Sequence, residues 1–282
     1  MLIRIGFDIA LNLSVPTTVT HLLHVHSSRR RDLLEPERFL IDPDLPSEEY
    51  HDRFGNHRGR ILAPKGRVRF LNEVVIRDSG ELDTFAPDAL QLDVSDIPTD
   101  ALEFLLPSRY CEVDSELASF AWATFQQIKP GWERVQAICD FVHGHIKFDY
   151  QKARADRTAV DAFREQVGVC RDFAHLAITL CRCLNIPARY ATGYLGDIGV
   201  PPVPDPMDFS AWFQVYLQGG WYTFDARHNR RRIGRVLIGL GFDAAHVPIT
   251  MSFGKQSLAL FRVVAEEIDL ASTSESPAVK AA

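Results

Sequence analysis

No stretch of the 282-residue chain approaches the roughly 18 consecutive apolar residues of a membrane span. The first residues carry an early Arg4 but no long apolar run and no small-residue cleavage site. The expectation is therefore a cytoplasmic protein that does not engage a membrane. Positive charge is also scarce: 31 Lys and Arg stand against 37 Asp and Glu, for a formal charge of −6. The basic clusters Arg29-Arg30-Arg31 and Arg230-Arg231-Arg232 are short. Nucleic-acid affinity rests on broader sets of Lys and Arg, so nucleic acid is not expected as a partner. Cysteine is sparse too. Cys111, Cys139, Cys170, Cys181 and Cys183 form an odd, unevenly spaced set, which fits neither a disulfide framework nor a paired zinc motif and points to reduced thiols.

What is present is ordinary globular composition, 46% apolar and 24% charged, at a length that favours two modest domains. Alternation at Ile3, Ile5, Phe7 and Ile9 has the period of a half-buried strand, and similar runs recur through about residue 100. Gly55-Asn56, Pro64-Lys65-Gly66 and Asp78-Ser79-Gly80 supply turns between them. A small antiparallel β domain is expected over residues 1–105.

Beyond Pro107 the period becomes helical. Leu117, Ala121, Phe125 and Ile128 mark a first helix with Asp114 placed to cap it. A second runs from about Trp132 to Ile146, and a third starts at Thr158, where Thr158 and Asp161 match a capping box. Gly168 is expected to close the third, so that the next helix begins at Cys170 and buries Phe173, Leu176, Ala177, Leu180 and Leu184. Ala188–Tyr194 and Ala211–Leu217 read as strands, and Gly219-Gly220 turns the second into a hairpin with Trp221–Asp225. This core is expected over 106–265, with a disordered tail over 266–282 that is rich in Ser, Ala and Thr from Ala271 onward.

A thiol acts as a nucleophile only as thiolate, and the free N–H groups and dipole at a helix N-terminus stabilise that anion. Cys170 has this place, whereas Cys181 and Cys183 fall inside the same helix as buried apolar groups. Around Cys170 the sequence reads Gly168-Val169-Cys170-Arg171-Asp172-Phe173-Ala174-His175-Leu176, followed by Ile186-Pro187-Ala188-Arg189-Tyr190 and Gly193-Tyr194. A second block reads Ala211-Trp212-Phe213-Gln214-Val215-Tyr216, Gly220-Trp221-Tyr222 and Phe224-Asp225-Ala226-Arg227-His228-Asn229. Together, over about residues 110–255, they resemble the bacterial transglutaminase-like superfamily, and the first hundred residues resemble the N-terminal domain that often precedes its papain-like core.

The resemblance implies an α+β fold in which the cysteine helix packs on an antiparallel sheet. It makes Cys170 the nucleophile and Asp225 the acid that orients a catalytic histidine. That histidine precedes an Ala-Trp pair in the family, and Ser210 stands there in this chain. Serine, whose hydroxyl titrates far above neutrality, cannot shuttle a proton as histidine does. With a two-residue Gly219-Gly220 loop, Gln218 pairs with Trp221 and His228 falls opposite Ala211, one residue from Ser210. A strict ladder projects it to the other face, so a bulge or departure from strand geometry is needed to make His228 a substitute base.

The remaining candidates have plainer readings. His175 lies about 140° around the helix from Cys170 and faces away. His143 and His145 sit near a helix end. His24 and His26 share one strand face at ligand spacing without a nearby carboxylate or third ligand, so no metal site is expected. Asp172 complements the helix dipole, and Trp212 and Tyr150 are core or cleft-wall residues. The function expected is a cysteine hydrolase or acyl transferase on peptide or Gln/Asn side-chain amides, acting through a thioester without metal or organic cofactor. Its partner is a peptide or protein substrate. The alternative is an inactive transglutaminase-like fold that binds a peptide or protein.

Overall fold

The computed structural model describes residues 1–203 and 206–269. Its first half is antiparallel β: β1 (Leu2–Leu13), β2 (Thr17–His21), β3 (Leu40–Asp42), β4 (Glu48–His51), β5 (His57–Ala63) and β6 (Gly66–Arg77). Along β1 the predicted alternation holds, with Ile3, Ile5, Phe7, Ile9, Leu11 and Leu13 all buried. Gly66, at φ 123°, supplies the left-handed conformation that lets β5 turn directly into β6. A short helix α1 (Thr99–Leu102) precedes α2 (Glu116–Phe125), α3 (Trp132–His145), the two-residue β7 (Lys147–Phe148), α4 (Ala159–Glu165), the two-residue β8 (Val167–Gly168) and α5 (Cys170–Cys183). There follow β9 (Ala188–Leu195), β10 (Ser210–Leu217), β11 (Gly220–Phe224), β12 (Arg235–Gly241), β13 (Thr250–Ser252) and β14 (Gln256–Ile268).

These strands form three four-stranded sheets, ordered β14-β1-β6-β3, β13-β2-β5-β4 and β11-β10-β9-β12, and β7 pairs in parallel with β8. Thus the β-rich half expected over 1–105 does not complete its sheets alone, because each takes one strand from residues 250–268. β14 runs antiparallel along all of β1. Glu266, Glu267 and Ile268, expected to begin a disordered tail, pair there with Arg4, Ile3 and Leu2. Residues 270–282 of that tail lie outside the described residues.

The helical signals are largely where the residues put them. The Thr158–Asp161 capping box is formed, with Asp161 N–H donating to Thr158 Oγ1 and Thr158 N–H to Asp161 Oδ2, both at 3.2 Å. Two expectations shift by a residue or two. Ser115 rather than Asp114 caps α2, its Oγ accepting from Leu117 N–H, and α4 ends on Gln166 in the left-handed region at φ 55° rather than on Gly168. Gly168 has another reason to be glycine: a Cβ there would meet the Asp172 side chain at 2.7 Å.

Helix α5 is the centre of the molecule. It packs on β10 and β9, with α2, α3 and α4 against its other sides. Phe173, Leu176, Ala177, Leu180 and Leu184 are buried as read, each large side chain contributing about 1.5–3 kcal/mol by leaving water. His175 is also fully buried. It accepts a hydrogen bond at Nε2 from Ala244 N–H and stacks on Tyr110 at 5.0 Å.

Burial pushes the His175 imidazole down to about 3, against a partial opposing pull from Asp243. The unfolded chain therefore binds a proton that the folded chain refuses, and stability falls as pH drops from about 6.5 toward 3. The slope contributed by His175 is at most one proton, about 1.4 kcal/mol per pH unit. Urea unfolding of His175→Gln between pH 7 and 4 is expected to show a shallower fall than wild type, and an unchanged slope rejects this assignment.

Candidate functional site

Cys170 is the first residue of α5, and its position follows from the residues before it. The β7–β8 pair fixes Gly168 beside Phe148. Val169 N–H then donates to Asp172 Oδ2 at 2.8 Å, closing the helix start. Asp172 is buried and is ion-paired with Arg157 at 3.2 Å and Arg171 at 3.6 Å. Its helix-stabilising role is thus realised through a buried charge network, although burial still pushes its carboxyl above the usual range.

The Cys170 thiol faces β10. Its Sγ lies 4.0 Å from Phe209 O, and Ala211 N–H also reaches it. These two backbone groups flank Ser210, so the strand brings Ser210 beside the sulfur. Ser210 is buried, pairs across the sheet with Gly193, and has its carbonyl held by Thr192 Oγ1 at 3.0 Å. A Cβ at Gly193 would meet Val236 O at 2.1 Å, so β9 and β12 approach here at a distance only glycine allows.

The hairpin register differs from the expected one. Leu217 pairs with Gly220 and Phe213 with Phe224, making Gln218-Gly219 the loop. The ladder ends at Phe224, and the chain then turns, with Asn229 N–H donating to Asp225 O at 2.8 Å. His228 is therefore not on a strand opposite Ala211. It folds back onto Asp225, whose Oδ1 accepts from His228 N–H at 3.0 Å and whose Oδ2 contacts His228 Nδ1 at 2.9 Å. The strict-ladder objection to His228 disappears because there is no ladder at this point.

Helix α3 holds this turn from behind. His143 Nδ1 bonds the Arg227 carbonyl at 2.9 Å, Gln136 Nε2 donates to Asn229 Oδ1 at 2.9 Å, and Asn229 Nδ2 donates to Asp140 Oδ1 at 2.8 Å. Asn229 itself is left-handed at φ 48°, a conformation asparagine tolerates better than most residues. These supports were not read from the sequence. Asn229 lies inside the quoted second block and signalled a turn, whereas Gln136, Asp140 and His143 follow from no spacing.

Asp225 has a second partner, also missed. Arg235 on β12 donates from Nη2 to Asp225 Oδ2 at 3.0 Å and from Nε to Asp83 Oδ2 at 2.9 Å. All three groups are largely removed from solvent. Burial alone would raise the Asp225 pKa, but the Arg235 charge and the His228 hydrogen bonds outweigh it and hold the carboxyl well below its usual range. Arg235 also lies 5.0 Å over the ring of Trp212, so Trp212 is a buried platform for this ion pair rather than a cleft wall.

Ser210 and His228 line one cleft of about 100 Å³ together with Tyr150, Met207, Asp208 and Arg227. Cys170 is not among the residues that line this cleft. Burial first, and the nearby Asp208 carboxylate second, push the Cys170 thiol up to about 11 despite the opposing Arg227 charge. Among the described residues, Sγ lies against the Phe209 carbonyl, with the Ala211 amide nearby. Cys181 and Cys183 are buried in α5, and no two of the five cysteines are joined. His145 bonds Phe163 O at 2.7 Å and belongs to helix packing. His24 and His26 do not share a strand face: both lie past the end of β2, and His26 turns to Phe54 O at 2.8 Å.

The sequence profile described as the transglutaminase-like superfamily matches residues 119–226. A crystal structure of a candidate cysteine protease from Cytophaga hutchinsonii superposes with a TM-score of 0.81 and 31% identity, covering 95% of this chain and 91% of that one. An uncharacterized protein of Mycobacterium leprae is 26% identical over 148 residues, 51% of this chain and 52% of the relative. Kyphoscoliosis peptidase of Mus musculus is 30% identical over 123 residues, 40% of this chain and 18% of the relative. The chain thus spans about half the length of the mycobacterial relative it matches. With the α+β architecture, the cysteine at the head of its helix and the near full-length likeness at 31% identity, the chain belongs to the transglutaminase-like superfamily.

Proposed function

We propose that this chain is a cysteine-dependent amide hydrolase or acyl transferase in which His228, held by Asp225, takes the part of the family histidine that Ser210 replaces. The observation that carries the reading is the 2.9 Å contact between His228 Nδ1 and Asp225 Oδ2. With Nδ1–H donated to the carboxylate, Nε2 is left as the basic nitrogen, the tautomer an acid–base imidazole requires. His228 shares its cleft with Ser210, which lies beside the sulfur.

In the proposed reaction Cys170 Sγ attacks the amide carbonyl of a peptide bond or of a Gln or Asn side chain. Its proton passes to His228 Nε2. The tetrahedral intermediate collapses to a thioester as the imidazolium protonates the leaving amine, and water or a second amine resolves the acyl group. The N–H groups at the start of α5 are suited to receive the developing oxyanion. Five unpaired cysteines suit a reducing, cytoplasmic setting.

One observation favours a second reading, a fold kept for binding peptides or proteins. Burial and Asp208 hold the Cys170 thiol at about 11, with Ser210 where the shuttle should be. Hydroxamate formation from a glutamine peptide and cleavage of fluorescent casein separate the two. An enzyme is expected to lose about 10²- to 10⁴-fold of its rate in His228→Ala and all acyl transfer in Cys170→Ala. A wild type without turnover, with Ser210→His gaining it, establishes the binding fold instead.

The buried Arg235 bridge makes a second prediction. Arg235→Met leaves the Asp225 and Asp83 carboxylates short of their common cation, and breaking such a pair costs about 3–5 kcal/mol. Guanidinium unfolding at pH 7 is expected to show that loss, partly restored in Arg235→Lys. A loss below about 1 kcal/mol, the level of a surface pair, contradicts the bridge.

A further inference from the structure

Far from the cysteine in sequence, the β13-β2-β5-β4 sheet and its loops gather a set of imidazoles and carboxylates, His21 and His24 buried, Glu37 and His57 half-buried and Glu49 at the surface. His24 follows β2, Glu37 precedes β3, Glu49 is on β4 and His57 opens β5. The donor atoms of His24, Glu37 and His57 all lie within 4.8 Å of one another. His24 Nδ1 stands 3.1 Å from Glu37 Oε2, close to the roughly 3.3 Å that separates two ligands of a tetrahedral ion with bonds of about 2.0 Å.

The surroundings are those of an ion site. Glu37 spends its other oxygen, Oε1, on Val25 N–H at 3.2 Å and Asn72 Nδ2 at 2.8 Å, which leaves Oε2 facing His24. The His24 and His57 rings are stacked at 4.0 Å and 16°. Each turns Nε2 to the same carboxylate: Glu49 Oε2 is 3.5 Å from His24 Nε2 and 3.1 Å from His57 Nε2. Histidines that ligate a metal through one nitrogen characteristically anchor the other on a carboxylate. His21 Nε2 lies 3.8 Å from the other Glu49 oxygen.

Unspent polar capacity is concentrated here. His24 and Asn72, 7% and 6% exposed, leave His24 Nε2 and Asn72 Oδ1 without a hydrogen bond, and fully buried His21 leaves Nδ1 so. The backbone makes room for the cluster, since a Cβ on Gly59 would strike His21 at 2.2 Å and Glu49 at 2.8 Å. Buried polar groups are normally paired, and here the protein's own groups leave the cluster's hydrogen bonding incomplete, His24 Nε2 having no more than the 3.5 Å approach of Glu49 Oε2.

We propose that His24, His57 and Glu37 ligate a divalent transition-metal ion, zinc by the preference of mixed imidazole and carboxylate donors, with Glu49 orienting both histidines and water completing the shell. The ion ties β2, β4, β5 and the loop before β3 together. Its role is structural, because the catalytic residues proposed above lie on α5, β10 and the turn after β11. The sequence expectation of no metal rested on His24 and His26, whereas the partner of His24 is His57.

Untagged protein, with Cys170→Ala alongside to remove thiol binding at the cleft, is stripped with a chelator and titrated with zinc against a chromogenic indicator, and thermal unfolding is followed in parallel. One equivalent of zinc per chain and a rise in Tm of about 5–10 °C at saturation are expected, both lost in His24→Gln and Glu37→Gln and kept in His51→Gln. Wild type that takes up no stoichiometric zinc and shows no rise in Tm overturns the proposal and leaves a metal-free His–Glu network. Uptake that persists in both ligand variants, folded by circular dichroism, overturns it equally.

Discussion

The carboxylate of Asp225 is the constraint on which the rest of the site depends. An isolated charge at that depth is prohibitive, so it exists only with its partners in place. Arg235 supplies the compensating charge and His228 the hydrogen bonds. Because Arg235 is shared with Asp83, the same pair fastens β12 to the loop that leaves the N-terminal sheets. Satisfying the carboxylate thus fixes both an imidazole and a junction between the two halves of the chain.

That junction is unusually integrated. β13 and β14 are sequence-distant from the sheets they complete, and β14 runs beside β1 over its whole length. The core of buried side chains is correspondingly continuous, running from Ile3 and Phe70 through Leu180 to Val236 and Val263. Parts of the chain that composition divides near residue 105 are joined by backbone hydrogen bonds as well as by apolar burial.

Within this frame, the function we propose has the family arrangement altered at Ser210 and repaired from His228. The thiol is seated by backbone on either side of Ser210, with the Phe209 carbonyl against the sulfur and the Ala211 amide nearby. The imidazole instead comes from a turn three residues past the acid. A turn can present His228 where a strand could not, because period-two alternation no longer dictates the face on which a side chain emerges.

Much was determined by the sequence itself: the strand period of β1, the capping box of α4, the helix start at Cys170 and the two blocks that mark the superfamily. Each of these signals is local, written in propensities and spacings within a few residues. The hairpin register was not, because Gly219-Gly220 allows two loops differing by one residue, and the one adopted pairs and stacks Phe213 with Phe224. Nor were the Asp83–Arg235–Asp225 bridge, the α3 residues behind Asn229, or the meeting of His24 with Glu37 and His57. Those pairings join residues far apart in the chain, and only the tertiary fold, by burying them together, makes their charges and hydrogen bonds answer to one another.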